Sequence, residues 1–205
     1  MISLDLEGLK KILNAAADEI LAEVDALTRA DQAIGDGDHG IGMERGWLAV
    51  KVALALNGLD TIPATLETVG KTLMLKVGGS SGVIFGTLFM AGSKAVQDAP
   101  LDAEGFARFL EAGLEGVQKR GHAKVGDKTL VDALAPAATA ARARCAGSLS
   151  ESLQGAAQAA WDGMEATRDM VATLGRAKTL GERARGHEDP GALSMALMLR
   201  GMAAP

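Results

Sequence analysis

Apolar residues recurring at spacings of three and four constrain this chain more than any other feature. Leu6, Leu9, Leu13, Ala16, Ile20, Val24 and Leu27 keep that rhythm, which marks one face of an amphipathic helix. The pattern predicts a first helix over 4–28. A second is expected over 43–56, with Trp47, Val50 and Leu54 apolar, closed by Asn57-Gly58. A third runs over 61–77, with Thr61 as cap and Pro63 in the first turn. The fourth covers 81–96 through Phe85, Leu88 and Phe89, and the fifth 103–119, capped by Asp102, with Phe106, Leu110, Leu114 and Val117 on one side. A sixth spans 128–145 with Pro136 as a kink. A seventh opens at Ser148 or Ser150 and reaches 174, and an eighth follows Asp189-Pro190 to 202. No stretch alternates at period two between turns. The expected fold is all-α: one domain over 1–205, an eight-helix up-and-down antiparallel barrel or bundle.

Short connections make successive helices antiparallel neighbours, so connections alternate between the two ends. The odd-numbered ones share a rim: the loop after helix one, Gly78–Gly82 after helix three, the Gly121 loop after helix five, and 175–188 after helix seven. Those four are the glycine- and charge-rich segments of the chain.

Hydrophobic residues make up 48 % of the 205, enough for a sizeable core, while aromatics are 3 % and Tyr is absent, so small residues must form the helix contacts. A net charge of −5 argues against a nucleic-acid partner. Cys145 stands alone, so neither a disulfide framework nor a cysteine metal site is expected. The amphipathic, acid-bearing N-terminus does not read as a signal peptide. The most apolar stretch, 72–92, is interrupted by Lys76 and by Gly-Gly-Ser-Ser-Gly and does not read as a membrane span. Cytoplasm is the expected location.

The loop after helix one carries Asp31, Asp36 and Asp38 within eight positions, interleaved with Gly35, Gly37, Gly40 and Gly42. A single Asp-Gly pair is ordinary turn chemistry. Three acids around two such pairs suit a hard cation such as Mg²⁺, which takes oxygen ligands. An EF-hand loop fails, because the twelfth position from Asp36 is Trp47 where a bidentate Glu is needed. His39 sits inside the acid cluster, where it orients a neighbour. Gly78-Gly79-Ser80-Ser81-Gly82 opens a helix, which beside a metal loop reads as a phosphate cradle. Gly121–Thr129 nearly spells a P-loop, but Asp127 intrudes before Lys128 and no strand precedes it. Arg176, Lys178, Arg183, Arg185 and His187 form a cationic stretch in an acidic chain, read as a lid whose arginines meet phosphate.

Four motifs in order, Gly35-Asp-Gly-Asp-His-Gly40, Val77-Gly-Gly-Ser-Ser-Gly82, Gly126-Asp-Lys-Thr129 and Gly181-Glu-Arg-Ala-Arg-Gly-His-Glu-Asp-Pro-Gly191, span nearly the whole chain. Together the sequence resembles the nucleotide-binding L subunit of dihydroxyacetone kinase (the DhaL family). The resemblance implies an eight-helix barrel with ADP or ATP at one rim. It implies that Asp31, Asp36 and Asp38 are the catalytic and metal residues, holding two Mg²⁺ ions. His39, Gly40, Ile41, Gly42, Ser80 and Ser81 would line the phosphates, Gly121 and Leu130 the adenine and ribose. Arg176, Asp189, Pro190 and Gly191 would close the lid side. Gly42 and Glu44 stand where many relatives carry Asn, which removes an amide near the phosphates.

The resemblance also implies partners: a K subunit that holds the ketose, and a phosphotransferase-system M subunit that rephosphorylates retained ADP. A homodimer is compatible with it. Two alternatives stand beside that kinase reading: a regulatory paralogue that binds nucleotide without turnover, and a kinase subunit for another acceptor such as erythrulose. A fatty-acid-kinase relative is disfavoured by His39, where Thr is frequent.

Overall fold

Polar residues ahead of the apolar runs set the helix starts. In the computed structural model, which describes residues 1–56 and 58–204, Thr61 Oγ1 accepts from the Ala64 N–H at 3.2 Å, Asp102 Oδ1 from Gly105 at 2.7 Å and Asp189 Oδ2 from Ala192 at 2.8 Å. Each satisfies a backbone donor that the first helical turn leaves free. Ser148, not Ser150, opens its helix, in a reciprocal capping box with Glu151.

The described residues form nine α-helices: α1 (Leu6–Ala22), α2 (Val24–Ile34), α3 (His39–Ala55), α4 (Ile62–Lys76), α5 (Gly79–Ser93), α6 (Ala103–Gly121), α7 (Val131–Ala143), α8 (Leu149–Ala166) and α9 (Pro190–Ala203). The expected first helix is thus two, broken at Glu23 (φ −110°, ψ 17°) with no Gly or Pro to mark it. The break goes with α2 packing on the start of α3. A Cβ on Gly40 would lie 2.1 Å from Thr28 Oγ1 and 2.5 Å from the Val24 carbonyl oxygen. Counting α1 and α2 as one rod leaves eight rods. Each packs on the next, and α9 returns to α1, closing the ring.

Three other expectations change. The second helix begins at His39 rather than near 43, so His39 to Gly42 are helical. The seventh ends at Ala166, eight residues short of the expected 174. A 3₁₀ turn (Thr167–Asp169) and an irregular 3₁₀ segment (Arg176–Ala184) follow. A two-residue antiparallel pair, Ser3–Leu4 with Leu101–Asp102, ties the N-terminus to the start of α6. The proposed stop at Asn57 lies outside the described residues.

The ring encloses one main core. Trp47, Phe89 and Phe109 meet edge to face, with ring centroids 6.3 and 5.5 Å apart. Few aromatics are needed because helices approach closely. A Cβ on Gly70 would lie 2.9 Å from the Gly86 carbonyl oxygen, and one on Gly86 2.8 Å from that of Gly70. A second, smaller apolar cluster of Ile34, Ala172, Ala177 and Ala184 sits under the 170–186 segment. No helix among the described residues is long and apolar enough to cross a membrane.

Candidate functional site

The rim predicted from helix parity holds a cleft of about 480 Å³, lined from all four odd-numbered connections. α3, α5, α7 and α9 all begin there. Each helix start carries a positive partial charge, and at α5 no side chain caps the first-turn N–H groups. Four helix starts on the wall of one cleft favour an anion.

Against that field stand the carboxylates of Asp31, Asp36 and Asp38, whose oxygens lie within 4.8 Å of one another. Asp31 is buried, while Asp36 and Asp38 are exposed. Asp31 is held at both ends: its carbonyl accepts from Gly35 N–H at 2.5 Å, and Oδ2 accepts from His39 N–H at 3.1 Å. A Cβ on Gly35 would fall 2.0 Å from Asp31 Oδ1, so only glycine leaves room for that carboxylate. Arg176 forms an ion pair with Asp36. An all-oxygen donor set of three carboxylates, one of them fixed, fits a hard divalent cation.

His39 is buried beneath the acids. Its Nδ1 lies 3.0 Å from Ser81 Oγ and its Nε2 2.7 Å from Ser194 Oγ. Burial lowers its pKa to about 4, against the opposing pull of Asp31 and of the Pro190 backbone. The ring is therefore neutral at ordinary pH. It donates one hydrogen bond and accepts the other, linking the start of α5 to α9. Ser80 and Ser81 lie in the first turn of α5, entered through Gly78 at φ 85°. This left-handed turn suits glycine and brings the backbone to the cleft.

The Gly121–Thr129 segment is a structural lock, not a P-loop. Asp132 accepts from Gly126 N–H at 2.6 Å and from Thr129 N–H at 2.7 Å. Asp127 accepts from Lys124 N–H at 2.8 Å and from Thr173 Oγ1 at 2.5 Å, and the Thr173 bond, then the Lys124 amide, hold its carboxyl below the usual range. His122, rather than Gly121, takes the left-handed position that ends α6 (φ 55°). Burial raises the Asp189 pKa to about 7, although the Ala192 amide opposes it.

The cleft brings together Asp31, Asp36, Asp38, His39, Ile41, Gly42, Ser80, Ser81, Gly121, Leu130, Arg176, Asp189, Pro190 and Gly191. Gly40 is not on its wall, because that residue packs on α2. Gly42 faces the end of α4. A Cβ there would sit 2.9 Å from the Val77 carbonyl oxygen. That carbonyl also accepts from Arg45 Nη2 at 2.6 Å, with Arg45 Nε on the Lys76 carbonyl at 2.6 Å. Glycine at 42 lets α3 close on the end of α4. Sequence reasoning missed Ser194, one serine in an apolar helix with no local signal. It also gave no role to Lys128, which appears in the failed P-loop match and in the Gly126-Asp-Lys-Thr129 motif.

The DAK2 domain family matches residues 33–204. The "PEP-dependent dihydroxyacetone kinase 1, ADP-binding subunit DhaL" of Listeria innocua is 40 % identical over 198 residues, covering 97 % of this chain and 96 % of that protein. The L-erythrulose kinase of Pectobacterium atrosepticum is 39 % identical across 94 % of this chain but only 33 % of its own length. The crystal structure of the C. freundii dihydroxyacetone kinase in complex with AMP-PNP and Mg²⁺ superposes with a TM-score of 0.75 at 26 % identity, over 99 % of this chain and 34 % of that one. This chain belongs to the DAK2 domain family, as one of its DhaL-type members.

Proposed function

We propose that this chain is the nucleotide-binding subunit of a dihydroxyacetone kinase, holding ADP or ATP with two Mg²⁺ ions in the cleft. It would work in the cytoplasm with a separate K subunit that presents the ketose and an M subunit that rephosphorylates bound ADP. The observation that carries this reading is the facing of the Asp31, Asp36 and Asp38 carboxylates by four helix N-termini across one cleft. The likeness to the ADP-binding subunit of Listeria innocua over nearly the full length of both chains supports it. So does the likeness to a kinase structure holding AMP-PNP and Mg²⁺.

Asp31, Asp36 and Asp38 hold the metal, and when bound Mg²⁺ neutralises charge on the phosphates during phosphoryl transfer. The first-turn amides of α5 and the Ser80 and Ser81 hydroxyls donate to the phosphate oxygens. His39 fixes Ser81 in place through its Nδ1 contact. Arg176 adds a cation from the loop side. Leu130, Phe85 and Val117 give the cleft an apolar wall for the base. The work of the chain is positioning and charge compensation; the acceptor is recognised by the partner.

The test is to purify the protein without added nucleotide, denature it, and quantify what is released. ADP near one equivalent supports a retained cofactor and the M-subunit relay. An empty protein that binds no nucleotide even with Mg²⁺ sinks the proposal. A second reading, with erythrulose as acceptor, is favoured by the likeness to the L-erythrulose kinase. Reconstitution with K subunits of each acceptor class separates the two, and absence of any phosphorylated product would favour a regulatory binding module.

A further inference from the structure

Lys128 is 1 % exposed, the most enclosed charged side chain among the described residues. An ammonium that far from water is costly unless its donors are satisfied. Here Nζ donates to the Thr167 carbonyl at 2.6 Å and to the His187 carbonyl at 2.5 Å. Its backbone sits at φ 61°, a left-handed conformation uncommon for a side chain of this size. The two carbonyls belong to the two ends of one excursion. Thr167 closes α8, and His187 lies two residues before the Asp189 cap of α9. Around them the Asp189 N–H donates to Thr167 Oγ1 at 2.9 Å, the Gly186 N–H to the Arg168 carbonyl at 2.8 Å, and Arg168 pairs with Glu188 at 2.8 Å.

The far side of the same excursion has its own apolar packing. Ala172, Ala177 and Ala184 rest on Ile34, with Leu180 packed against them. Ile34 directly precedes Gly35-Asp36. Between stem and tip the chain passes Gly175 (φ 66°) and Gly181 (φ 56°), left-handed positions that glycine takes at little steric cost. The excursion is thus a compact loop with a pinned base, a small core of its own, and Arg176 at the acid cluster.

We infer that Lys128 is a positioning residue for the nucleotide site: its buried ammonium pins the base of the 170–188 loop to the end of α8, so that the loop closes over the cleft from a fixed stem. The inference rests on the nucleotide-binding reading above. A methionine would fill the same space without the charge. What only the ammonium supplies is the link between Thr167 and His187. Burial lowers the Lys128 pKa, and Asp189 and Glu188 oppose that shift.

The test is Lys128→Met, read by ADP dissociation rate with Mg²⁺ and by trypsin cleavage after Arg176, Lys178, Arg183 or Arg185 in nucleotide-free protein. Losing the two charge-assisted bonds is expected to speed both by about tenfold or more, with helical content unchanged. Unaltered ADP release and cleavage overturn the inference. So does a lowered unfolding midpoint with unaltered ADP release well below it, the signature of a purely structural lysine. A wild-type protein that binds no ADP would remove the nucleotide reading, and cleavage alone would then decide on the stem. Should Lys128→Met fail to fold, hydrogen exchange on the wild-type protein decides. The Gly186 and Asp189 amides are expected to exchange more slowly than those of 176–184, and equal exchange overturns the fixed stem.

Discussion

His39 Nε2 and Ser194 Oγ lie 2.7 Å apart across 155 positions of sequence. The contact is the point where the acid loop, the start of α5 and α9 become one object, because the other face of the imidazole meets Ser81 at 3.0 Å. A neutral buried ring with both nitrogens paired has one orientation. Removing one partner leaves a buried nitrogen unsatisfied.

Ser194→Ala should therefore destabilise the fold by about 1–3 kcal/mol. The measurement is the urea midpoint at constant slope. A midpoint equal to wild type would show that the Nε2 contact does not hold the ring.

Asp36→Ala removes one of three carboxylates and the ion-pair partner of Arg176. Mg²⁺-dependent nucleotide binding and phosphoryl transfer are expected to be lost while helical content stays intact. Titration with ADP in the presence and absence of Mg²⁺ checks the binding, and unchanged Mg²⁺-dependent binding would remove Asp36 from the proposed metal site.

Gly42→Asn tests the close approach of α3 to the end of α4. The structure gives no room for the Asn side chain, since the new Cβ meets the Val77 carbonyl oxygen at 2.9 Å, and backbone cannot yield as a flexible side chain does. Overpacking of this kind costs about 1–3 kcal/mol. A drop in melting temperature is expected, and a neutral or stabilising effect would mean that α3 and α4 adjust freely there.

Asp189 gives a pH dependence with a definite sign. Its folded pKa is raised, by burial first, from 3.8 to about 7. The folded state then binds more protons than the unfolded state between those values, so this group's contribution is present at low pH and is lost as pH rises through about 7. Asp189→Asn keeps the N-cap, since Asn caps as well as Asp, and does not titrate. The variant should gain stability relative to wild type by about 1 kcal/mol or more between roughly pH 5 and pH 8. Denaturation at the two pH values reads the difference, and a constant gap would show that Asp189 stays ionised throughout.

The features legible from the chain alone are local. Caps at Thr61, Asp102, Ser148 and Asp189 act within three residues, and an apolar stripe repeats every turn, so eight rods, their directions and the shared rim could be counted from the chain alone. The acid cluster was legible because its three members lie close in sequence. The remaining features depend on partners far apart in the chain. The break at Glu23 carries no Gly or Pro signal and accompanies the packing of Gly40 on Val24 and Thr28. Ser194 reads as one polar residue in an apolar helix until α9 closes the ring and sets it on His39. Lys128 reads as the start of a helix until the ends of a loop 39 and 59 positions away come to its ammonium. Spacing encodes a helix because its hydrogen bonds join near neighbours; a buried polar contact between distant segments has no spacing to encode it.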